Sequence, residues 1–272
     1  MSLLPILPPF LSDKTSSSVL WCYTGGGHYF NELFDQLIRI NHESIPVCFV
    51  FSDAGALVAN RYGFFWKLAH SNIKKEYLHF FLGETVAKYN IEKILCDAEF
   101  SYSIISKDPT FSISEVLAKS QVSCILACPL TANTAAKLVL GIADSIISNL
   151  LSSGLKSQKT VAILPTDAFF QQIETALPIR QIQLASSAQI NTEICKFNAL
   201  KENPINQIQF IPQFCVGCQL CVKKYPAVFS YGDMIKIKIR EVDYQNIQKL
   251  KSELTVFQSP SEVFPFVQQF YR

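Results

Sequence analysis

The feature that most constrains this chain is the alternation of short apolar runs with helical patterns. Residues 19–23, 45–51, 124–128 and 160–164 are apolar runs bounded by turn signals. Each reads as a buried strand, and 94–97 as a shorter one. Helical patterns lie between them, at 28–40, from 54 to 60, at 74–89 and from 133 to about 151. This order predicts an α/β fold, with a parallel sheet and crossover helices. Sheets of that kind bind ligands beyond the carboxyl ends of their strands.

The pattern changes after residue 200. Residues 201–233 read as a loop-rich segment holding three clustered cysteines. Residues 234–240 then alternate, with Ile235, Ile237 and Ile239 against Lys236, Lys238 and Arg240. That is the pattern of a half-buried strand near a sheet edge, where lysines discourage further pairing. Two helices are expected at 244–254 and 260–271. The expected division is a main domain at 18–200, a cysteine-containing insertion with its edge strand at 201–241, and C-terminal helices at 242–272 packing back on the main domain.

Composition narrows the function classes. The chain has 272 residues, 49% of them hydrophobic and 17% charged, enough for a sizeable core. A net charge of +2 without a long basic run argues against nucleic acid as partner. The longest near-apolar stretch, 135–147, is too short to span a bilayer and carries Lys137 and Asp144. The first eleven residues lack a charged n-region and do not read as a signal peptide. A cytoplasmic protein without a membrane partner is expected. Nine cysteines, an odd number, do not suggest a disulfide framework. Cys48 and Cys96 lie in apolar runs that read as strand and core.

Three strand ends carry polar or glycine-rich turns. Thr24-Gly25-Gly26-Gly27-His28 links the first strand to a helix. Glycines there let backbone N–H groups approach a phosphate at a helix N-terminus. The run lacks the G-x-G-x-x-G spacing of a dinucleotide fingerprint. A tight turn without ligand, with His28 as its cap, remains the alternative. Ser52-Asp53-Ala54-Gly55 stands at the next strand end and reads equally as pocket lining or as a helix N-cap. Pro129-Leu130-Thr131-Ala132-Asn133-Thr134 follows the third strand. Its hydroxyls and amide suit the carbonyl and nitrogen edge of a heterocyclic ring. At 3.6 residues per turn, Asn133, Lys137, Gly141 and Asp144 fall on one stripe of the helix that follows. That stripe reads as an N-cap with a buried Lys–Asp pair, as a cofactor wall or as a subunit seam.

These motifs, with Gly141-Ile142-Ala143-Asp144 and residues 239–250, resemble the flavoprotein superfamily of the homo-oligomeric flavin-containing cysteine decarboxylases. The nearer branch is that of the archaeoflavoproteins and the flavin-dependent dihydromethanopterin reductases. The resemblance covers roughly 18–170 and 234–264. It implies a Rossmann-like parallel sheet flanked by helices, noncovalent FMN, and a homo-oligomer built on trimers. By position it assigns the flavin to Gly25, Gly26, Gly27 and His28, to Ser52, Ala54 and Gly55, and to Pro129, Thr131, Ala132, Asn133, Thr134 and Lys137. The decarboxylases use a histidine after the second loop. Residues 59–70 hold no matching motif, only His70. The resemblance therefore favours an FMN-dependent oxidoreductase that passes hydride or electrons to a pterin-like or redox-protein acceptor. A cysteine-type decarboxylase and a non-enzymatic electron carrier are the alternatives.

Cys215-Val216-Gly217-Cys218-Gln219-Leu220-Cys221 has C-x2-C-x2-C spacing and resembles the bacterial ferredoxin run. Tyr225 stands where that run carries its fourth cysteine, before Pro226. A remote fourth ligand is then required, and Cys195 is the candidate. An iron–sulfur cluster with three or four irons, a zinc site completed elsewhere, and a remnant with free thiols all remain open.

Overall fold

The computed structural model describes residues 17–84, 86, 90–105, 121–167, 172–183, 190–205 and 207–271. Its centre is a parallel sheet of seven strands. In chain order the first six are β1 (Ser18–Tyr23), β2 (Val47–Phe51), β3 (Leu78–Gly83), β4 (Ser101–Ile105), β5 (Val122–Leu130) and β6 (Thr160–Pro165). Three small antiparallel pairs follow. They are β7 (Gln172–Ala176) with β12 (Met234–Lys238), β8 (Arg180–Gln181) with β11 (Phe229–Ser230), and β9 (Leu200–Glu202) with β10 (Ile208–Phe210). The last strand, β13 (Thr255–Val256), returns to the main sheet and pairs with β6.

The main sheet runs β13-β6-β5-β1-β2-β3-β4. Strands extend from β1 in both directions, so the order reverses between β1 and β5. This is the topological switch point, where the loops leaving adjacent strands diverge and open a crevice.

Alternate residues of β1 enter the two faces of the core. Val19, Trp21 and Tyr23 join an aromatic cluster with Phe49, Phe51 and Phe80. The helices α1 (Phe30–His42), α2 (Asp53–Arg61), α3 (Phe64–Ala69) and α4 (Ile91–Asp97) cover that face, together with the late helix α9 (Val263–Gln268). Leu20 and Cys22 join the opposite face with Cys48, Val50 and Ile125. There α5 (Ala132–Val139), α6 (Ile146–Lys156) and α8 (Glu241–Leu250) cover the sheet. The short helix α7 (Leu220–Lys224) lies among the cysteines.

Several expectations are corrected. The segment expected as a helix at 74–89 contains β3, buried on both faces from Leu78 to Leu82. A strand covered on both sides shows no alternation, and the polar flank around Lys74–Glu76 imitated an amphipathic helix. The expected strand at 94–97 is the end of α4, whose Ile91, Ile94 and Leu95 share a buried face. Cys96 is accordingly exposed rather than a core strand residue, whereas Cys48 is buried.

The long helix expected from residue 133 is two helices. Gly141 takes φ +70°, where an L side chain is strained, and terminates the first. Ser145 and Ser148 form the capping box that starts the second. The Lys137–Asp144 pair forms at 2.8 Å but across this break and at the surface, with 53% of the Asp144 side chain exposed. The alternating segment is strand β12, but it is an exposed ribbon with β7 rather than a half-buried edge of the main sheet. The last expected helices appear as α8, beginning at Glu241, and as a 3-10 turn leading into α9.

Candidate functional site at the sheet switch point

Three loops meet at the carboxyl edge of β1, β2 and β5. Thr24, 3% exposed, joins the first and third. Its Oγ1 donates to the Pro129 carbonyl and accepts from the Thr131 N–H, both at 2.9 Å. The Cys128–Pro129 peptide is cis, and the Trp21 indole donates to the Cys128 carbonyl at 2.7 Å. The second loop leans on the first. Ser52 N donates to the Tyr23 carbonyl at 3.2 Å, and Gly55 sits so close to that carbonyl that a Cβ would collide with it. The Ser52 hydroxyl also caps α2 by accepting from Gly55 N at 3.0 Å. A fourth loop, after β6, closes the edge, with Thr166 N donating to the Leu130 carbonyl at 2.9 Å.

The first and fourth loops border a cleft with a volume of about 250 Å³. Gly26, Gly27 and His28 line its base and Thr166 and Asp167 one side. Tyr62 lines another side, its ring stacked on Phe30 with centroids 5.1 Å apart and its hydroxyl donating to the Ala176 carbonyl at 2.8 Å. The β7–β12 ribbon supplies an apolar wall of Ile173, Ile235 and Ile237. This explains why Ile235 and Ile237 stay 37% and 39% exposed while Ile173 is buried: their face opens on the cleft.

The glycines of the base are required by the side chains packed on them. A Cβ on Gly26 would stand 2.8 Å from the Thr166 methyl, and one on Gly27 2.5 Å from the Tyr62 hydroxyl. Contacts of that kind leave no room for a larger residue. His28 Nδ1 is buried and has no hydrogen-bond partner among the described residues. Burial lowers the His28 pKa, against the opposing pull of Glu32 and Asp167. Burial pushes Tyr62 up to about 12. The cleft therefore presents a neutral imidazole and a neutral phenol at physiological pH. A buried ring nitrogen without a partner among the described residues, in a glycine-rich turn at a strand end, fits a polar ligand such as the phosphate or ring edge of a flavin.

The structure divides the residues read from the sequence. Gly26, Gly27 and His28 line the cleft. Gly25, Ala54, Ser52 and Gly55 buttress it from behind, with a Gly25 Cβ only 3.1 Å from that of Ala54. Pro129 and Thr131 join the edge through Thr24. Thr131 caps α5, accepting from Thr134 N. Asn133 is exposed on the first turn of α5 and Ala132 part-exposed, while Lys137 is engaged by Asp144. Those three do not line the cleft within a single protomer. His70 lies at the end of α3, its ring 3.9 Å from that of Trp66, and is not a cleft residue. Sequence reasoning missed Tyr62, Thr166, Asp167 and the β7–β12 wall. Thr166-Asp167 follows a buried strand at the same edge, a signal the strand-end rule would have found.

The cysteines gather elsewhere. Cys195, Cys215, Cys218 and Cys221 all line one enclosed apolar pocket. Burial pushes Cys215 up to about 12 and Cys221 to about 11, and the neighbouring thiols push the same way. Among the described residues, no three His, Cys, Asp or Glu side chains converge tightly enough for a single metal ion. No helix among them is long and apolar enough to cross a membrane.

This chain is similar to two curated dihydromethanopterin reductases (acceptor). The protein of Methanocaldococcus jannaschii is 28% identical over 91% of this chain and 94% of its own length. That of Methanosarcina mazei is 24% identical over 90% and 96%. Among solved structures, the FMN complex of Burkholderia xenovorans DmrB, described as a cubic protein cage for redox transfer, aligns over 94% of this chain and 96% of its own. Its TM-score is 0.53 at 13% identity, a likeness of fold. The Flavoprotein family model matches residues 10–209, well over half of the sequence, and the chain belongs to that family.

Proposed function

We propose that this protein is an FMN-dependent oxidoreductase of the dihydromethanopterin reductase kind, passing hydride or electrons to a pterin or to a protein acceptor. The observation that carries the reading is the cleft at the switch point lined by Gly26, Gly27 and His28, with the buried Nδ1 of His28 left without a partner among the described residues. The near full-length similarity to two reductases supports the choice of reaction. FMN, when bound, supplies the hydride chemistry.

The chain's own residues bind, orient and shield. Gly26 and Gly27 bring backbone to the flavin, and His28 offers a neutral ring nitrogen to it. Ile173, Ile235 and Ile237 keep water from the reacting face. Tyr62 braces the cleft by tying α2 to the β7–β12 ribbon.

The same reading includes a homo-oligomer built on trimers, a cytoplasmic setting, and an iron–sulfur cluster at Cys215, Cys218 and Cys221. The exposed apolar stretch after α5, with Leu140 71% and Ile142 43% exposed, supports a subunit seam there. Nine free cysteines fit a reducing compartment. The test is FMN uptake by the purified protein, followed by photoreduction and anaerobic mixing with a dihydropterin. Reoxidation of the flavin with formation of tetrahydropterin is expected. A protein that takes up no FMN refutes the reading.

A further inference from the structure

Of the described side chains that line the cleft, Asp167 alone is a carboxylate. We propose that Asp167 selects the acceptor, its two oxygens taking the adjacent N–H donors of a 2-amino-4-oxopyrimidine ring such as that of a pterin. This role rests on the oxidoreductase reading above and adds to it the residue that tells one heterocycle from another.

The chain holds this carboxylate in place. Asp167 stands two residues past the end of β6, where the backbone leaves the carboxyl edge of the sheet. Thr166 before it is 8% exposed and fixed, its N–H given to the Leu130 carbonyl at 2.9 Å. The Thr166 hydroxyl donates to Asp167 Oδ2 at 2.5 Å, the length of a charge-assisted O–H···O bond. Oδ1 has no hydrogen bond among the described residues, and Oδ2 keeps a second lone pair. Both oxygens can therefore accept from a ligand.

The basic groups nearby do not occupy it. The field of Asp167 reaches His28 and Arg240, favouring the charged form of each. Burial outweighs that pull at His28 and leaves the imidazole neutral at physiological pH. The Arg240 guanidinium is engaged by Asp243, its Nε and Nη2 donating at 2.6 and 2.7 Å. The Tyr62 hydroxyl already donates to the Ala176 carbonyl at 2.8 Å. A ligand that covers Asp167 displaces its water and must bring N–H donors of its own.

The shape of the carboxylate says which donors fit. Two oxygens side by side match two parallel N–H groups, as they do in the fork of a guanidinium. A pterin carries that pattern at N3 and the 2-amino group. The pyrimidine edge of a flavin does not, because its N3–H lies between two carbonyls. With one oxygen of Asp167 on that N–H, the other would face a carbonyl and be repelled. The same side chain thus disfavours the edge of the flavin and favours that of the pterin. Ile173, Ile235 and Ile237 give the cleft an apolar surface for the flat face of a ring.

The test compares two acceptors on the FMN-loaded full chain. One is a 7,8-dihydropterin; the other is the matching 7,8-dihydrolumazine, with a carbonyl in place of the 2-amino group. The parent should favour the pterin. Asp167→Asn keeps the shape and turns one acceptor into a donor. The KM for the pterin should rise about tenfold to a hundredfold with little change in kcat, the pattern of lost binding rather than lost chemistry. The lumazine should hold or gain, so that the preference narrows or reverses. Equilibrium dialysis of the oxidised pterin and lumazine should show the same shift without turnover, and FMN uptake by the variant reports that it folds. A pterin preference that survives intact in Asp167→Asn overturns the role of Asp167. So does an equal loss for both ligands, which a displaced loop would give, or a parent with no preference. If the parent reduces neither acceptor, the oxidoreductase reading fails, and dialysis still decides whether Asp167 selects the pterin.

Discussion

Thr24→Val tests whether the switch-point cleft depends on one hydroxyl. Valine keeps the shape of threonine and removes only its hydrogen bonding. Two backbone groups then lose their partner, the Thr131 N–H and the Pro129 carbonyl, each now 2.9 Å from Thr24 Oγ1. The residue is 3% exposed, so water is a poor replacement. Leaving a buried polar group unsatisfied costs about 1–3 kcal/mol, which puts the pair at about 3 kcal/mol. For a domain of this size about 1 kcal/mol moves Tm by about 2–4 °C, so a fall of about 6–12 °C is expected. Thermal unfolding followed by circular dichroism, with and without saturating FMN, measures it. FMN affinity, read by quenching of flavin fluorescence, should weaken in parallel, because the first and third loops are no longer held together. Thr24→Ser should behave close to the parent. The reasoning fails if Thr24→Val melts within about 2 °C of the parent, less than about 1 kcal/mol, and binds FMN equally well.

Other substitutions probe separate parts of the argument. Gly27→Ala places a methyl 2.5 Å from the Tyr62 hydroxyl, and should displace that ring and weaken FMN binding about tenfold or more; a dissociation constant unchanged in a fluorescence titration would count against the cleft. His79 is buried at 2% exposure, hydrogen-bonded to Ser101 and Ser103, and pushed by burial down to about 4. Its folded pKa lies below its unfolded value, so its contribution is complete above about pH 6.5 and is lost as pH falls toward about 4. The expected loss is about 3 kcal/mol over that window. Urea midpoints from pH 7 to 4 should fall less steeply in His79→Gln, and identical slopes would refute this account. Asp144→Asn breaks an ion pair that is largely exposed, and differential scanning calorimetry should find Tm unchanged; a large drop would mean the pair is buried in the assembly.

The sheet was legible wherever a strand was short, apolar and followed by a turn. β1, β2, β5 and β6 were all readable in this way, and so were the loops that leave β1, β2 and β5. β3 was not, because Leu78–Leu82 is covered on both faces and its polar flank carries the stronger periodic signal. α4 failed for the opposite reason: a window of a few residues sees only the apolar side of a short helix. The break at Gly141 had two visible signals, the glycine and the Ser145–Ser148 cap, but the surrounding apolar run outweighed them. Local pattern could place Gly26, Gly27 and His28 at a strand end. It could not place Tyr62 or Ile235 beside them, since those contacts are made only when distant segments fold across the same edge.

The β7–β12 ribbon also has a bearing on how the chain is assembled as a sequence. Its two strands are neighbours in space, yet residues 177–233 lie between them. Leu177 and the 232–233 turn meet at the ribbon's end, Leu177 N donating to Asp233 O and Gly232 N to Leu177 O, both at 2.9 Å. The whole cysteine-bearing stretch therefore leaves and re-enters the fold at a single point, as a cassette with adjoining ends. Its exchange for a tight turn would preserve every strand of the main sheet. The loss would fall on one seam, where Val216, 1% exposed, enters the aromatic core, Phe197 meets Trp66, and Asn90 donates to the Phe197 and Phe214 carbonyls. A lineage gaining or shedding this cassette would have to rebuild that seam, and would keep the cleft's Ile173, Ile235 and Ile237.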